Sequence, residues 1–111
     1  MIQPRIPERD ILKTILDYLK LRRVFHYRQN VGAFIGSHKG KTRFTRFGVP
    51  GIPDIVCIVK GQYVGIEVKS PSKHPSQAQV EFSVSLTKAG GIYLVAHSLE
   101  EVRDFFEKEK M

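Results

Sequence analysis

Two carboxylates and a lysine stand where the short strands of a small protein seldom carry charge. Within the stretch GVPGIPDIVCIVKGQYVGIEVK, from Gly48 to Lys69, Asp54 opens the apolar run IVCIV, and Glu67 and Lys69 close the run YVGIEV. Each run has strand length and is rich in β-branched residues. Between them Lys60-Gly61-Gln62 reads as a tight hairpin-like connection in which Gly61 can take a positive φ. Strand alternation places Glu67 and Lys69 on one face and Val68 on the other. If the two strands pair antiparallel, the start of one lies beside the end of the other, and Asp54 falls near Glu67. Two carboxylates at that spacing repel, which raises a pKa and weakens the fold. A hard divalent cation removes the conflict, and Mg²⁺ is commonly held by one or two carboxylates, waters and substrate phosphate. An adjacent ammonium can orient or deprotonate a water and stabilise developing phosphate charge. The competing interpretation is structural: an Asp in the turn after Pro53, and a Glu–Lys pair on an exposed strand face. Placement of the three on two adjacent strands of a very basic protein favours the chemical interpretation.

Taken in order, Gly51-Ile52-Pro53-Asp54, Ile66-Glu67-Val68-Lys69 and Ser76-x-x-Gln79 resemble the PD-(D/E)XK nuclease superfamily and, within it, the virus-type replication-repair nuclease (VRR-NUC) domain. The likeness runs from Glu8 to Ser98-Leu99-Glu100-Glu101. It implies one VRR-NUC-like domain over residues 1–111 with an α/β, restriction-endonuclease-like core. It also implies Mg²⁺ or Mn²⁺ at Asp54 and Glu67, helped by the carbonyl of Val68, with Lys69 placing the attacking water. Gln79 would border the site, Glu8 would add a metal or water ligand, and in-line attack would leave a 5′-phosphate. Standalone proteins of this kind resemble Holliday-junction resolvases that act as homodimers, which implies branched, four-way-junction DNA as the substrate and a phage or prophage setting in a bacterial cell. Fused versions in the family act on flaps and single-strand ends, so flap cleavage is the nearest rival. A non-catalytic DNA-binding module of the same fold is a third expectation. A pure binder, however, gains little from carboxylates facing phosphate. A metal-binding regulator without nucleic acid leaves the basic half of the chain unexplained.

That half is plain in the charge distribution. Of the formal net charge of +7, the first fifty residues hold 11 basic against three acidic side chains, and the remainder seven against eight. One basic face for a polyanion is the implication. A chain of 111 residues is one domain of ordinary size, with 41% hydrophobic residues and no internal repeat. No apolar run is long enough to span a membrane, and the first residues lack signal-peptide organisation, so a cytoplasmic protein with no membrane partner is expected. The single Cys57 cannot form an internal disulfide and reads as a small buried apolar residue. The four histidines show no zinc-ligand spacing.

Positioning falls to the surrounding elements. From Pro7, the sequence PERDILKTILDYLKLRR places Ile11, Leu12, Ile15, Leu16 and Leu19 in one helical stripe. There Glu8 is either a favourable charge at the helix N-terminus or the acidic ligand of the resemblance. Val24 to Asn30 alternates and is expected to be the first strand, with Arg28 and Asn30 as phosphate or sugar contacts at best and ordinary strand residues at worst. Gly36 to Gly51 has no clear period and reads as a long loop. Its Lys39, Lys41, Arg43 and Arg46, interleaved with Phe44 and Phe47, suit DNA contact, while an irregular hairpin with a core-packed Phe is the alternative. Ser76 and Gln79 form a capping box opening a helix that stops at Gly90-Gly91, so Gln79 is a cap whatever else it does. Ile92 to Ala96 reads as a central buried strand, and Ser98-x-x-Glu101 as a second capping box. The expected order is αβββαβα, with a mixed four-stranded sheet flanked by helices, since the helix between the last two strands crosses over right-handed and makes them parallel.

Overall fold

The computed structural model describes residues 6–29, 33–38, 41–46 and 48–111, the two middle segments as backbone only. The element order is α1 (Glu8–Leu21), β1 (Phe25–Arg28), β2 (Ala33–His38), β3 (Lys41–Arg46), β4 (Ile55–Val59), β5 (Gln62–Val68), α2 (Gln77–Lys88), β6 (Ile92–Ala96) and α3 (Leu99–Lys108). Strands β1, β4, β5 and β6 form one sheet in that order, antiparallel except for the parallel β5–β6 pair. The mixed four-stranded sheet is the one expected. The long loop is not: β2 and β3 pair antiparallel as a separate two-stranded sheet, from Ala33 opposite Arg46 to His38 opposite Lys41. Glycine and lysine are poor strand formers, and they hide this pairing from a reading of period alone.

The apolar stripe of α1 is buried through Ile11, Ile15 and Leu19. These side chains pack on Ile55, Cys57 and Val59 of β4, on Val64, Ile66 and Val68 of β5, and on Val102 and Phe106 of α3. Helices α1 and α3 therefore share one face of the sheet. Burial pushes the Cys57 thiol up to about 12, in keeping with an inert core residue. The β4–β5 connection is the two-residue turn Lys60-Gly61, and both residues have positive φ, a geometry that matches strand twist.

Helix α2 lies on the opposite face, over β6, where Phe82 meets Tyr93 at a ring-centroid distance of 5.9 Å. Strand β6 is an edge strand, not the central one its apolar sequence suggests. Its apolar character is explained by α2 and α3, which each pack against it. The Ser76 capping box forms as expected. At α3 the Ser98 hydroxyl accepts from the Glu101 N–H, but the Glu101 carboxylate accepts from the N–H of His97, one residue before the cap. Among the described residues, no helix is long and apolar enough to cross a membrane.

Candidate active site

Register assembles the site. Ile55 lies opposite Ile66, and the N–H of Gln29 donates to the Asp54 carbonyl at 2.8 Å, which extends the β1–β4 ladder by one residue. Three same-face rows of side chains follow across β1, β4 and β5: Phe25, Ile58 and Tyr63; Tyr27, Val56 and Gly65; and Gln29, Asp54 and Glu67. The last row carries the chemistry. Asp54 accepts a hydrogen bond from the Val68 N–H at 2.8 Å, which fixes its carboxylate against the end of β5. In extended backbone the carbonyl of a residue points the same way as its N–H, so Val68 turns its carbonyl toward the Asp54 side as well.

Glu67 is 4% exposed and is the buried charged residue of the core region. Desolvation, and then the Asp54 charge, push its carboxyl up to about 7, against the opposing pull of Lys69 and of a hydrogen bond from the Gln79 side chain. Lys69 Nζ stands 3.5 Å from Glu67 Oε2, and both side chains are largely buried. Asp54 is also raised, chiefly by desolvation and further by Glu8. The Val68 N–H, Lys69 and Arg28 act in the other direction. Glu8 is thus close enough to influence Asp54, though its ion pair is with Lys73, at 3.9 Å. One cation, paired directly with Glu67 alone, leaves two crowded carboxylates short of positive charge.

Glycine and proline set the geometry around the pair. Gly51 has φ +84°, and a Cβ there would lie 2.1 Å from the Ala78 carbonyl oxygen, so the Gly51-Ile52-Pro53-Asp54 turn presses directly on the first turn of α2. At Gly65 a Cβ would lie 2.5 Å from Pro53 Cγ. Gln79 is locked by its cap: Oε1 accepts from the Ser76 N–H at 2.8 Å, leaving the amide –NH₂ for Glu67. A cleft of ≈ 190 Å³ opens here, lined by Asp54, Glu67, Gln79 and the Gly51–Ile52 turn.

Asp54, Glu67, Val68, Lys69 and Gln79 therefore converge, with Glu8 and Arg28 at the margin. Lys41, Arg43 and Arg46 fall on β3, whose backbone alone is described, and Asn30 and Lys39 lie outside the described residues. Two supporting residues carry no sequence signal. Gln29 Nε2 donates to the Pro53 carbonyl at 3.1 Å, and the Tyr93 hydroxyl donates to the Gly51 carbonyl at 3.1 Å. Both hold the turn through tertiary contacts that no spacing reveals.

The architecture is similar to that of solved VRR-NUC domains, as the sequence resemblance implied. A solved "VRR_NUC domain" superposes with a TM-score of 0.65 over 90% of this chain and 94% of its own, at 20% identity. A solved "VRR_NUC domain protein" superposes with a TM-score of 0.68 over 94% of this chain and 88% of its own, at 16% identity. At such identities the likeness is one of fold. No family model and no curated protein sequence matches the chain.

Proposed function

We propose that this chain is a divalent-metal-dependent, structure-selective DNA endonuclease. The observation that carries the reading is the meeting of Asp54 with the buried Glu67, beside Lys69, in an open cleft. Hard carboxylate oxygens with a backbone carbonyl suit Mg²⁺ or Mn²⁺, whose remaining positions are usually filled by water and phosphate. Among the described residues no group of three or more His, Cys, Asp or Glu side chains is placed to hold a metal ion. Asp54 and Glu67 would hold the ion, with the Val68 carbonyl. Such an ion supplies Lewis-acid polarisation of the scissile phosphate and lowers the pKa of a water.

The chain's own residues do the rest. Lys69 would position the attacking water and offset phosphate charge, and Gln79 would hold the Glu67 carboxylate in orientation. Glu8 would accept from a water at the margin of the site, and Arg28 would approach a phosphate. Lys39, Lys41, Arg43, Arg46 and Asn30 would add backbone contacts along the DNA. Hydrolysis by in-line attack would leave a 5′-phosphate. A four-way junction cut by a homodimer is the substrate we favour, because a two-fold pair of sites matches a two-fold branched duplex.

The test is cleavage of a labelled junction beside flap, splayed and linear duplexes, each with Mg²⁺, Mn²⁺ or EDTA, for wild type and Lys69→Ala. Paired symmetric nicks that vanish in EDTA and in the variant are expected. Preferential flap cutting would replace the junction with the flap as substrate. Salt-sensitive binding without cleavage under either metal would leave a binding module and no enzyme.

A further inference from the structure

Among the described residues, α2 covers the face that carries Asp54 and Glu67 over β6, and Pro53 lies over Gly65 of β5. On the other half of that face the rings of β1 stand in solvent. Phe25 is 66% exposed and Tyr27 51%, their centroids are 6.4 Å apart in an edge-to-face pair, and Ile58 beside them is also exposed. These rings are not incidental surface. Tyr27 shares a face with Asp54, one strand across and one same-face step along, a separation of about 8 Å from ordinary sheet spacings. The rings are bordered on the same face: the Gln29 side chain reaches both the Pro53 carbonyl and the Tyr63 hydroxyl, and Tyr63 in turn lies close to Tyr27. Exposed Arg23 precedes the strand, and exposed Arg28 ends it on the opposite face, near enough to affect Asp54.

We propose that Phe25 and Tyr27 form a stacking platform for unpaired nucleobases next to the phosphate held at Asp54 and Glu67. The occupant is single-stranded nucleic acid, as at a junction crossover, a flap or a splayed end. Aromatic faces bind any base by stacking, and basic groups at the ends of the strand offset backbone charge. A paired duplex hides its base faces in its own stack, so the platform rewards substrates that have opened. It would thereby select structure without reading sequence. The inference rests on the nuclease reading for its placement beside a scissile phosphate, but its binding test does not depend on cleavage.

The chain contains no tryptophan, so Tyr27→Trp installs a single fluorescent reporter at an exposed position. Titration in EDTA with an oligothymidylate is expected to quench its emission, and a blunt duplex is expected to leave it nearly unchanged. The double variant Phe25→Ala/Tyr27→Ala is expected to lose about tenfold or more in affinity for the single strand, with a loss at least several-fold smaller for duplex. Both side chains are outside the core, so a thermal melt close to wild type is expected to accompany the loss. Absent quenching, or equal losses on single strand and duplex, would overturn the platform. So would sedimentation showing a wild-type dimer that the double variant turns into a monomer, since the face would then be an interface between copies. Quenching by a chain that cuts no DNA would keep the platform and remove the nuclease. Junction cutting without quenching would do the reverse.

Discussion

Glu67 is a carboxyl in surroundings that favour its protonated form, and that has a measurable sign. Its pKa is about 7 in the fold against an ordinary 4.5, so the folded state binds its proton more tightly than the unfolded chain does. The stability this confers is fully present below pH 4.5 and is lost as the pH rises through 7. In EDTA, wild type is therefore expected to lose stability over that window, on the order of 3 kcal/mol, while Glu67→Gln loses clearly less, keeping only the smaller contribution of the raised Asp54. Urea melts of both proteins at pH 4.5, 6 and 8 would check this, and parallel curves would contradict it. Under the proposed function the same titration would govern metal uptake, because a dication binds the carboxylate and not the acid. Lys69 makes a different prediction. Its ammonium lies 3.5 Å from Glu67, which lines the cleft. Lys69→Met is expected to lower the cleavage rate by roughly 10²-fold or more, the usual scale for a proton-handling or charge-stabilising group. Affinity for DNA measured in EDTA should fall far less, and a matching fall in affinity would show that Lys69 only binds.

Elements hold these residues in place through backbone approaches close enough to exclude a side chain. The turn at Gly51 abuts the first turn of α2 so closely that a methyl group has no room, whereas Gly61 has a similar φ of +80° with nothing within 4 Å of a Cβ. The pair separates backbone strain from contact. Gly61→Ala is expected to cost about 1 kcal/mol, the penalty of a left-handed conformation alone. Gly51→Ala should cost appreciably more, roughly 2–4 kcal/mol, and should also disturb Gln79 and the cleft. Comparable losses in thermal melts of the two variants would refute the contact. Much of this frame is legible in the sequence. The strand pair, the capping box at Ser76 and the stripe of α1 are local patterns, and local patterns follow from propensity and period. The meeting of Asp54 with Glu67 follows from them by register alone. The β2–β3 hairpin is hidden because glycine and lysine blur its alternation. The edge position of β6 is hidden for another reason: helices on both sides make an edge strand as apolar as a central one. Gln29 and Tyr93 serve the site through hydrogen bonds between residues 24 and 42 positions apart, which no window of sequence contains.

The whole molecule joins opposite charges that are each unfavourable alone. A strongly basic first half attracts a polyanion, while two raised carboxyls on the adjacent strands would repel the phosphate brought to them. Under the proposed function a divalent ion would reconcile the two, which would link metal, proton and DNA binding in one equilibrium. At pH 8, saturating Mn²⁺ should therefore raise the melting temperature by several degrees, as binding to the folded state alone requires. Asp54→Asn should abolish most of that rise, and lowering the pH to 5.5 should shrink it in wild type as Glu67 keeps its proton. DNA affinity should show the complementary pattern. Without metal, log affinity should fall steeply and linearly with log salt concentration, because the basic residues release counterions from phosphate. Arg28→Ala should reduce that slope by about one unit if Arg28 meets a single phosphate. With Mn²⁺ at pH 8, affinity for a phosphorothioate-blocked junction should rise above its EDTA value, since the carboxylates then attract the backbone through the shared ion. The same comparison in Asp54→Asn should show little metal effect and tighter binding in EDTA than wild type, because one repelling charge is gone. If Mn²⁺ left both the melting temperature and the affinity of wild type unchanged at pH 8, the carboxylate pair would be a structural feature of the sheet edge and no metal site.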